Sequence, residues 1–308
     1  MSPEAPSDEV VRVMTNDHAY RVIVCDTTRT CRAILEAQRA AGDIARALAE
    51  ICTAAILVRE TMAPSHRVQG ILKLGQGRGS LIGDSFPEGN TRGLAQLKGD
   101  KGAFRFGPGS VLQMMRSLAN GSVHQGIVDI AGADGLSTAL GLYLQESEQV
   151  VSVTAVGAHF RFTDGAPSVD EGQTHETLVR SGGYVVQLLP EAERPAQMIM
   201  TERLGDFPSL DAFLARAGTD PTAPGRTLVT ELLDELLFGM PNTELGRADL
   251  AFGCTCSEAS LLSALATLGK DEIQSMLDQG ESLEISCDYC RKDYVIAIER
   301  LRALVERT

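Results

Sequence analysis

Four cysteines near the C-terminus have the type and spacing for metal chemistry. Cys254 and Cys256 lie two apart in Phe252-Gly253-Cys254-Thr255-Cys256-Ser257, and Cys287 and Cys290 lie three apart in Cys287-Asp288-Tyr289-Cys290. Zinc takes four thiolates in a tetrahedron at about 2.3 Å each, and closed structural sites draw all four ligands from protein. A C-x-x-C pair can wrap one edge of that tetrahedron. The C-x-C pair is tighter and needs extended backbone between its sulfurs. The spacing therefore predicts one metal site built from Cys254, Cys256, Cys287 and Cys290.

Intervening elements must bring the two pairs together. Residues 257–286, thirty of them, lie between, which is room for two short helices and a turn. Leu261, Leu262, Leu265 and Leu268 recur at helical spacing up to Gly269. Asp271 is expected to cap a second helix carrying Ile273, Met276 and Leu277, with Gly280 as its stop.

Competing readings of these cysteines have less support. Two structural disulfides would suit an oxidising compartment. Residues 1–9 are acidic and proline-rich and read as neither a signal peptide nor a transit peptide. That stretch is expected to be frayed, and the cytoplasm is the expected location. A thioredoxin-type C-x-x-C should open a helix after an early strand, whereas here it comes last and precedes the final helix. A zinc knuckle with a purely structural role is the stronger alternative.

Other motifs carry less. Gly75-Gln76-Gly77-Arg78-Gly79 lacks the spacing of a phosphate loop and is followed by a strand, so a hairpin turn is expected. The five histidines are scattered, and His175-Glu176 is not followed by x-x-His. There is no G-x-S-x-G or similar arrangement around a nucleophile, and no enzymatic activity is expected. Cys25, Cys31 and Cys52 read as small core or near-surface residues, not as ligands.

Composition narrows the class further. The 308 residues, 44% apolar and 22% charged, make an ordinary globular chain with ample core material. No apolar run approaches the roughly 18 residues of a membrane span. The net charge of −13 opposes binding to nucleic acid. The cysteine region does not break the trend, with six Lys plus Arg against ten Asp plus Glu from residue 251 onward. Aromatics are 5% and Trp is absent, so stacking platforms for bases are lacking.

Along the chain, Tyr20–Cys25 reads as a strand, followed by a helix through Ile34, Leu35 and Ala37 and a second from Asp43 through Ile56. Strands are expected at Val68–Leu74, Ser80–Asp84 and Arg92–Leu97. Gly126–Ile130 and Leu136–Leu142 read as a further strand pair, then Val150–Val156, Ala158–Thr163 and Tyr184–Leu189. This predicts an α+β fold whose N-terminal core domain, 1–194, has a largely antiparallel sheet. Prolines then punctuate short helices over 195–250, a helical linker. One helix carries Leu210, Phe213 and Leu214; another carries Leu228, Val229, Leu232, Leu233, Leu236 and Leu237, extended by Phe238. Residues 251–308 form the small C-terminal zinc-binding α/β domain.

These features together resemble the 33-kDa chaperonin family, the redox-regulated heat shock holdases of bacteria. That family has F-x-C-x-C-S, a gap of about thirty residues, then C-x-x-C with an aromatic before the last cysteine, as in Phe252–Ser257 and Cys287–Cys290 here. Ser147-Glu148-Gln149 resembles its S-E-Q segment. Gly182-Gly183-Tyr184-Val185-Val186-Gln187-Leu188-Leu189-Pro190 resembles G-G-Y-x-x-Q-x-L-P, and Arg92-Gly93 also fits. The likeness spans nearly the whole chain beyond the N-terminal stretch.

The resemblance implies an ATP-independent holdase with a C-terminal redox switch. Its reduced form is expected to hold one zinc ion on Cys254, Cys256, Cys287 and Cys290 and to be inactive. Oxidation is expected to form Cys254–Cys256 and Cys287–Cys290 disulfides, expel zinc and unfold the metastable linker 195–250. The oxidised protein, a homodimer, would then hold unfolding clients during oxidative stress. Leu228, Leu232, Leu233, Leu236, Leu237 and Phe238 are candidate client contacts. From the residues alone, four cysteines permit three pairings, and only proximity favours the local ones. A thiol-disulfide oxidoreductase turning over Cys287 and Cys290, or a constitutive zinc-dependent adaptor, are the alternatives.

Overall fold

Strand β1 (Asp8–Thr15) starts inside the stretch for which the sequence predicts a frayed tail. Asp8 is buried because its carboxylate caps a helix: its oxygens accept the Arg29 and Thr30 backbone N–H groups at 3.0 and 2.6 Å. Those donors open α1 (Thr28–Gln38), whose own N-cap residue, Thr27, makes no side-chain cap bond. The structure is a computed structural model. It describes residues 7–62, 66–98, 104–118, 120–162, 176–190, 192–207, 209–216, 226–278 and 282–307.

Two compact units divide between Phe252 and Gly253. In the first, β2 (Tyr20–Asp26) pairs with β1, and α1 and α2 (Gly42–Glu60) follow. Strands β3 (Arg67–Leu74), β4 (Gly79–Ser85) and β5 (Asn90–Leu97) form a meander. Between β3 and β4, Gly75–Gly77 is a single 3₁₀ turn, so the glycine-rich run is a connector as expected. Then come β6 (Val111–Ser117), β7 (Val123–Asp129), α3 (Leu136–Glu146), β8 (Ser152–Phe162) and β9 (Glu176–Leu188). After helices α4 (Arg194–Asp206), α5 (Leu210–Arg216) and α6 (Leu228–Leu237), β10 (Asn242–Phe252) closes the unit. The ten strands form one sheet in the order β7-β6-β3-β4-β5-β10-β1-β2-β9-β8. Every pairing is antiparallel except a short parallel contact of β5 with β10 at Asn90–Thr91.

Several elements differ from the sequence expectation. Leu136–Leu142 is not a strand but the first part of α3. Its buried residues, Leu136, Ala139, Leu140, Tyr143 and Leu144, follow helical spacing once the window is lengthened past Leu142. The two strands expected from Val150 to Thr163 are one strand, β8, with a bulge at His159–Phe160; Thr163 lies outside the described residues. The helical stretch expected over 195–250 holds helix only through Leu237. Strand β10 then pairs with β1 from Asn242 to Leu250, held by main-chain bonds and by the ion pair of Arg247 with Glu9. Apolar alternation is confined to its second half, where Ala248, Leu250 and Phe252 pack into the core.

The sheet carries helices on both faces. On one, the apolar helix α2 lies across β3, β4, β5, β8 and β9, with α1 and α3 beside it. On the other, Val11, Val13, Val22, Val24, Tyr184 and Val186 meet Met200, Leu210, Phe213, Leu214, Leu228 and Leu232 of α4–α6. The Tyr184 ring meets Phe207 edge-on at 5.5 Å, and Phe207 stacks on Phe213 at 5.7 Å.

The family-like motifs outside the cysteines are packing devices. A Cβ on Gly182 would lie 2.5 Å from the Cys25 carbonyl oxygen, and one on Gly183 2.5 Å from that of Ala155, so only glycine admits this closeness. Glu148 accepts from Arg116 and from the Tyr143 hydroxyl at 2.5 Å. Arg92 and Arg67 hold the fully buried Asp84 at 2.9 and 2.7 Å.

The second unit is small. It contains α7 (Glu258–Leu265), α8 (Lys270–Asp278), a hairpin of β11 (Leu283–Ser286) and β12 (Asp293–Ile296), and α9 (Ile298–Arg307). Both expected helices are present. Helix α8 already includes Lys270, so Asp271 falls in its first turn, and the expected stop at Gly280 lies outside the described residues. Among the described residues Leu265, Ile296 and Leu301 form a buried apolar cluster, with Leu261, Leu262, Leu268, Leu277, Leu283 and Ile285 packed partly against it, and Ile273 is also fully buried. So thin a core gives little stability by itself.

Candidate metal centre

Each cysteine pair is placed by local backbone chemistry. After Cys256 the chain is turned into α7 by a reciprocal capping box. The Ser257 hydroxyl accepts the Ser260 N–H at 3.1 Å, and the Ser260 hydroxyl accepts the Ser257 N–H at 2.9 Å. Cys254 and Cys256 lie in the non-helical segment just before it, as a C-x-C pair requires. Cys287 follows β11, and Cys290 sits in the turn before β12. The Cys287 N–H donates to the Lys292 carbonyl at 2.9 Å, the Arg291 N–H donates to the Cys287 carbonyl at 2.8 Å, and Arg291 takes a left-handed φ of 58°. The register of the hairpin, Leu283 opposite Ile296 through Ser286 opposite Asp293, pins this turn.

The fold brings all four sulfurs within 4.8 Å of one another. Cys254 and Cys287 are 3.8 Å apart, and Cys256 and Cys290 are 3.4 Å apart. A tetrahedron with bonds of about 2.3 Å has edges of about 3.8 Å. A disulfide needs about 2.05 Å, and none of the four cysteines is in one. Cys287 is buried and the other three half-buried. The donor set fits one thiophilic cation. It does not by itself choose the metal.

One further residue belongs to this site, and sequence reading missed it. The Tyr294 hydroxyl lies 3.1 Å from the Cys256 sulfur and donates to the Cys256 carbonyl at 3.1 Å. Its signal in the sequence is slight: a tyrosine four residues after the last cysteine, at the start of a short strand.

The neighbours also divide the protons unequally. Burial pushes the Cys256 thiol up, but hydrogen bonds from the Tyr294 hydroxyl and then from the Cys290, Cys254 and Cys287 thiols outweigh it and bring Cys256 down to about 7. Burial, together with the protons it donates to its neighbours, carries Cys290 up to about 12, against a bond from the Lys292 N–H. Donation to Cys256, with a smaller push from burial, raises Tyr294 to about 12. By contrast, burial raises Cys31 to about 11 and pushes Cys25 and Cys52 up as well. These three lie in the core of the first unit as expected, where buried thiols are unreactive.

The expected client-contact residues are mostly covered. Leu228, Leu232, Leu236 and Leu237 are buried against the sheet and Leu233 is half-buried, whereas Phe238 is 78% exposed.

A sequence model of the Hsp33 protein family matches residues 8–297, from the first residue of β1 to the end of the cysteine hairpin. The chain belongs to the Hsp33 family. Among its relatives are proteins named 33 kDa chaperonin. That of Syntrophotalea carbinolica is 26% identical over 97% of this chain and 99% of that protein. That of Desulfotalea psychrophila is 24% identical over 98% of each. That of Geobacter sulfurreducens is 27% identical over 97% of this chain and 95% of that protein. The crystal structure of a 33 kDa chaperonin, the Hsp33 homologue of Thermotoga maritima, superimposes with a TM-score of 0.74 at 20% identity, over 98% of this chain and 99% of that one. It shares the fold. Membership of the Hsp33 family supports a chaperone role, and the four-cysteine cluster is compatible with a zinc and redox centre. Among the described residues, no helix is long and apolar enough to cross a membrane.

Proposed function

We propose that this chain is a redox-regulated, ATP-independent holdase whose reduced form is inactive. The observation that carries this reading is the cluster itself: four cysteine sulfurs within 4.8 Å of one another in a unit whose described residues bury few apolar side chains. Cys254, Cys256, Cys287 and Cys290 would hold one zinc ion, which when bound would supply the cross-link that the core cannot. Structural zinc contributes about 10–16 kcal/mol to folding a small domain, against a whole-domain stability of about 5–15 kcal/mol. Loss of the ligands therefore unfolds the second unit.

The thiolates that suit a metal are also the groups that oxidants attack. Formation of Cys254–Cys256 and Cys287–Cys290 disulfides closes only tiny loops. Such bonds restrain little chain and do not replace the metal as an organiser. The linker over 195–250 would then unfold. Release of α6 would uncover Leu228, Leu232, Leu233, Leu236 and Leu237 beside the already exposed Phe238, and would also bare the sheet face they cover. Exposed apolar area of this kind holds unfolding clients and suits pairing of two oxidised protomers in the cytoplasm. The buried position of Cys287 weighs against a turnover dithiol.

The test follows zinc release with a chelating dye while light scattering of a heat-labile client is recorded in the same cuvette. Under peroxide and mild heat, zinc release and suppression of scattering should rise together. Equal suppression by the reduced, zinc-loaded protein would rule out redox gating.

A further inference from the structure

The Tyr294 hydroxyl lies 3.1 Å from both the Cys256 sulfur and the Cys256 carbonyl oxygen. A phenol carries one proton, which either acceptor can take. A cysteine sulfur that serves as a metal ligand has no proton of its own, so the attractive form of the sulfur contact is O–H···S, with Tyr294 as donor. The ring is held for this task. Tyr294 lies opposite Ile285 in the β11–β12 ladder, and the Lys292 Nζ sits 5.2 Å from its ring centroid.

We propose that Tyr294 is a positioning residue of the thiolate cluster, donating its hydroxyl proton to the Cys256 sulfur and thereby slowing that sulfur's attack on hydroperoxides. This inference rests on the redox-switch reading above and adds the residue that sets its threshold. In the attack, a thiolate lone pair takes the terminal oxygen of a hydroperoxide. The S–O bond forms, the O–O bond breaks, and the alkoxide or hydroxide leaves and is protonated by water. The sulfur is oxidised by two electrons and the peroxide is reduced by two. A neighbouring thiolate then displaces hydroxide from the sulfenic sulfur to form S–S. A hydrogen bond to the attacking thiolate is strongest before the attack, when the sulfur carries its full charge. It therefore stabilises the reactant more than the transition state. It also fixes the ligand, as outer-shell donors do.

The decisive variant is Tyr294→Phe in the full chain, which keeps the ring and removes the donor. Peroxide-driven zinc release should be roughly tenfold faster, the kinetic equivalent of one hydrogen bond to a charged group. A sulfenic-acid trap should label Cys256 more strongly than in the parent. With cobalt(II) in place of zinc, the sulfur-to-metal charge-transfer band should move to longer wavelength, a change that loss of packing alone would not cause. Far-UV circular dichroism of the zinc-loaded variant checks that it has folded. If the parent binds one metal and releases it to peroxide, while the variant matches it in rate, labelling and cobalt spectrum, the role of Tyr294 is wrong and the switch stands. If the parent binds no metal, both fall together.

Discussion

The Cys256 sulfur lies 3.4 Å from that of Cys290, thirty-four residues away in sequence. Cys254 meets Cys287 in the same way, at 3.8 Å. Contact across the two pairs is what a shared metal requires, and it makes the choice of disulfide partner consequential. A bond across the pairs would close a loop of more than thirty residues and hold the unit together by about 3–4 kcal/mol. Bonds within the pairs would not. Peptide mapping after peroxide treatment should therefore find Cys254–Cys256 and Cys287–Cys290. Cross-pair disulfides in a still-folded second unit would contradict the proposed release.

Replacing a single ligand should have the same effect as oxidation. Cys290→Ser removes one of four thiolates, and the remaining three leave a small core without its cross-link. The variant should lose stoichiometric metal and much of the helical signal of α7–α9. Metal analysis and circular dichroism measure both.

Packing of α6 is the next determinant. Leu232 is fully buried against the sheet, so Leu232→Ala should cost about 2–5 kcal/mol locally. Hydrogen exchange should speed up across α6, and the reduced protein should show partial client protection. If exchange in α6 is unchanged, the helix does not depend on that face.

The start of α6 is tied to β1. The Thr227 hydroxyl accepts the Thr230 N–H at 3.2 Å and contacts the Glu9 carboxylate at 3.1 Å. Thr227→Ala should lose about 1 kcal/mol of cap energy. The effect should appear as faster exchange of amides 229–231, with β1 unaffected.

Acidity should stabilise the first unit. Burial, reinforced by the charge of Asp211 and opposed by Arg46, lifts Glu50 from 4.5 to about 8. Burial and then Asp26 lift Asp8 from 3.8 to about 6, against bonds from the Thr30 and Arg29 N–H groups. A carboxyl raised in the folded state binds more protons folded than unfolded. Its contribution to stability therefore falls as pH rises, between about 4.5 and 8 for Glu50. Denaturant midpoints of Glu50→Gln should depend less on pH over this window than those of the parent, with the gain largest near pH 8. Parallel curves would show that Glu50 titrates normally.

The sequence alone determined the chemistry of the site. Thiolates at C-x-C and C-x-x-C spacing dictate a tetrahedral centre wherever the chain can bring them together, and the leucines of 261–268 declare their helix by period. The core strands over Tyr20–Cys25 and Val68–Leu74 were legible as short apolar, β-branched runs followed by turn residues. Tertiary structure decided the rest. Strand β10 is polar in its first half, and pairing with β1 makes that half a strand. Asp8 reads as part of an acidic tail until the first-turn N–H groups of α1, twenty-one residues on, give its carboxylate a partner. Tyr294 becomes a partner of Cys256 only when the hairpin register turns its hydroxyl toward that sulfur. In each case the deciding interaction joins atoms distant along the chain, and periodicity, which reports only on neighbours, cannot encode it.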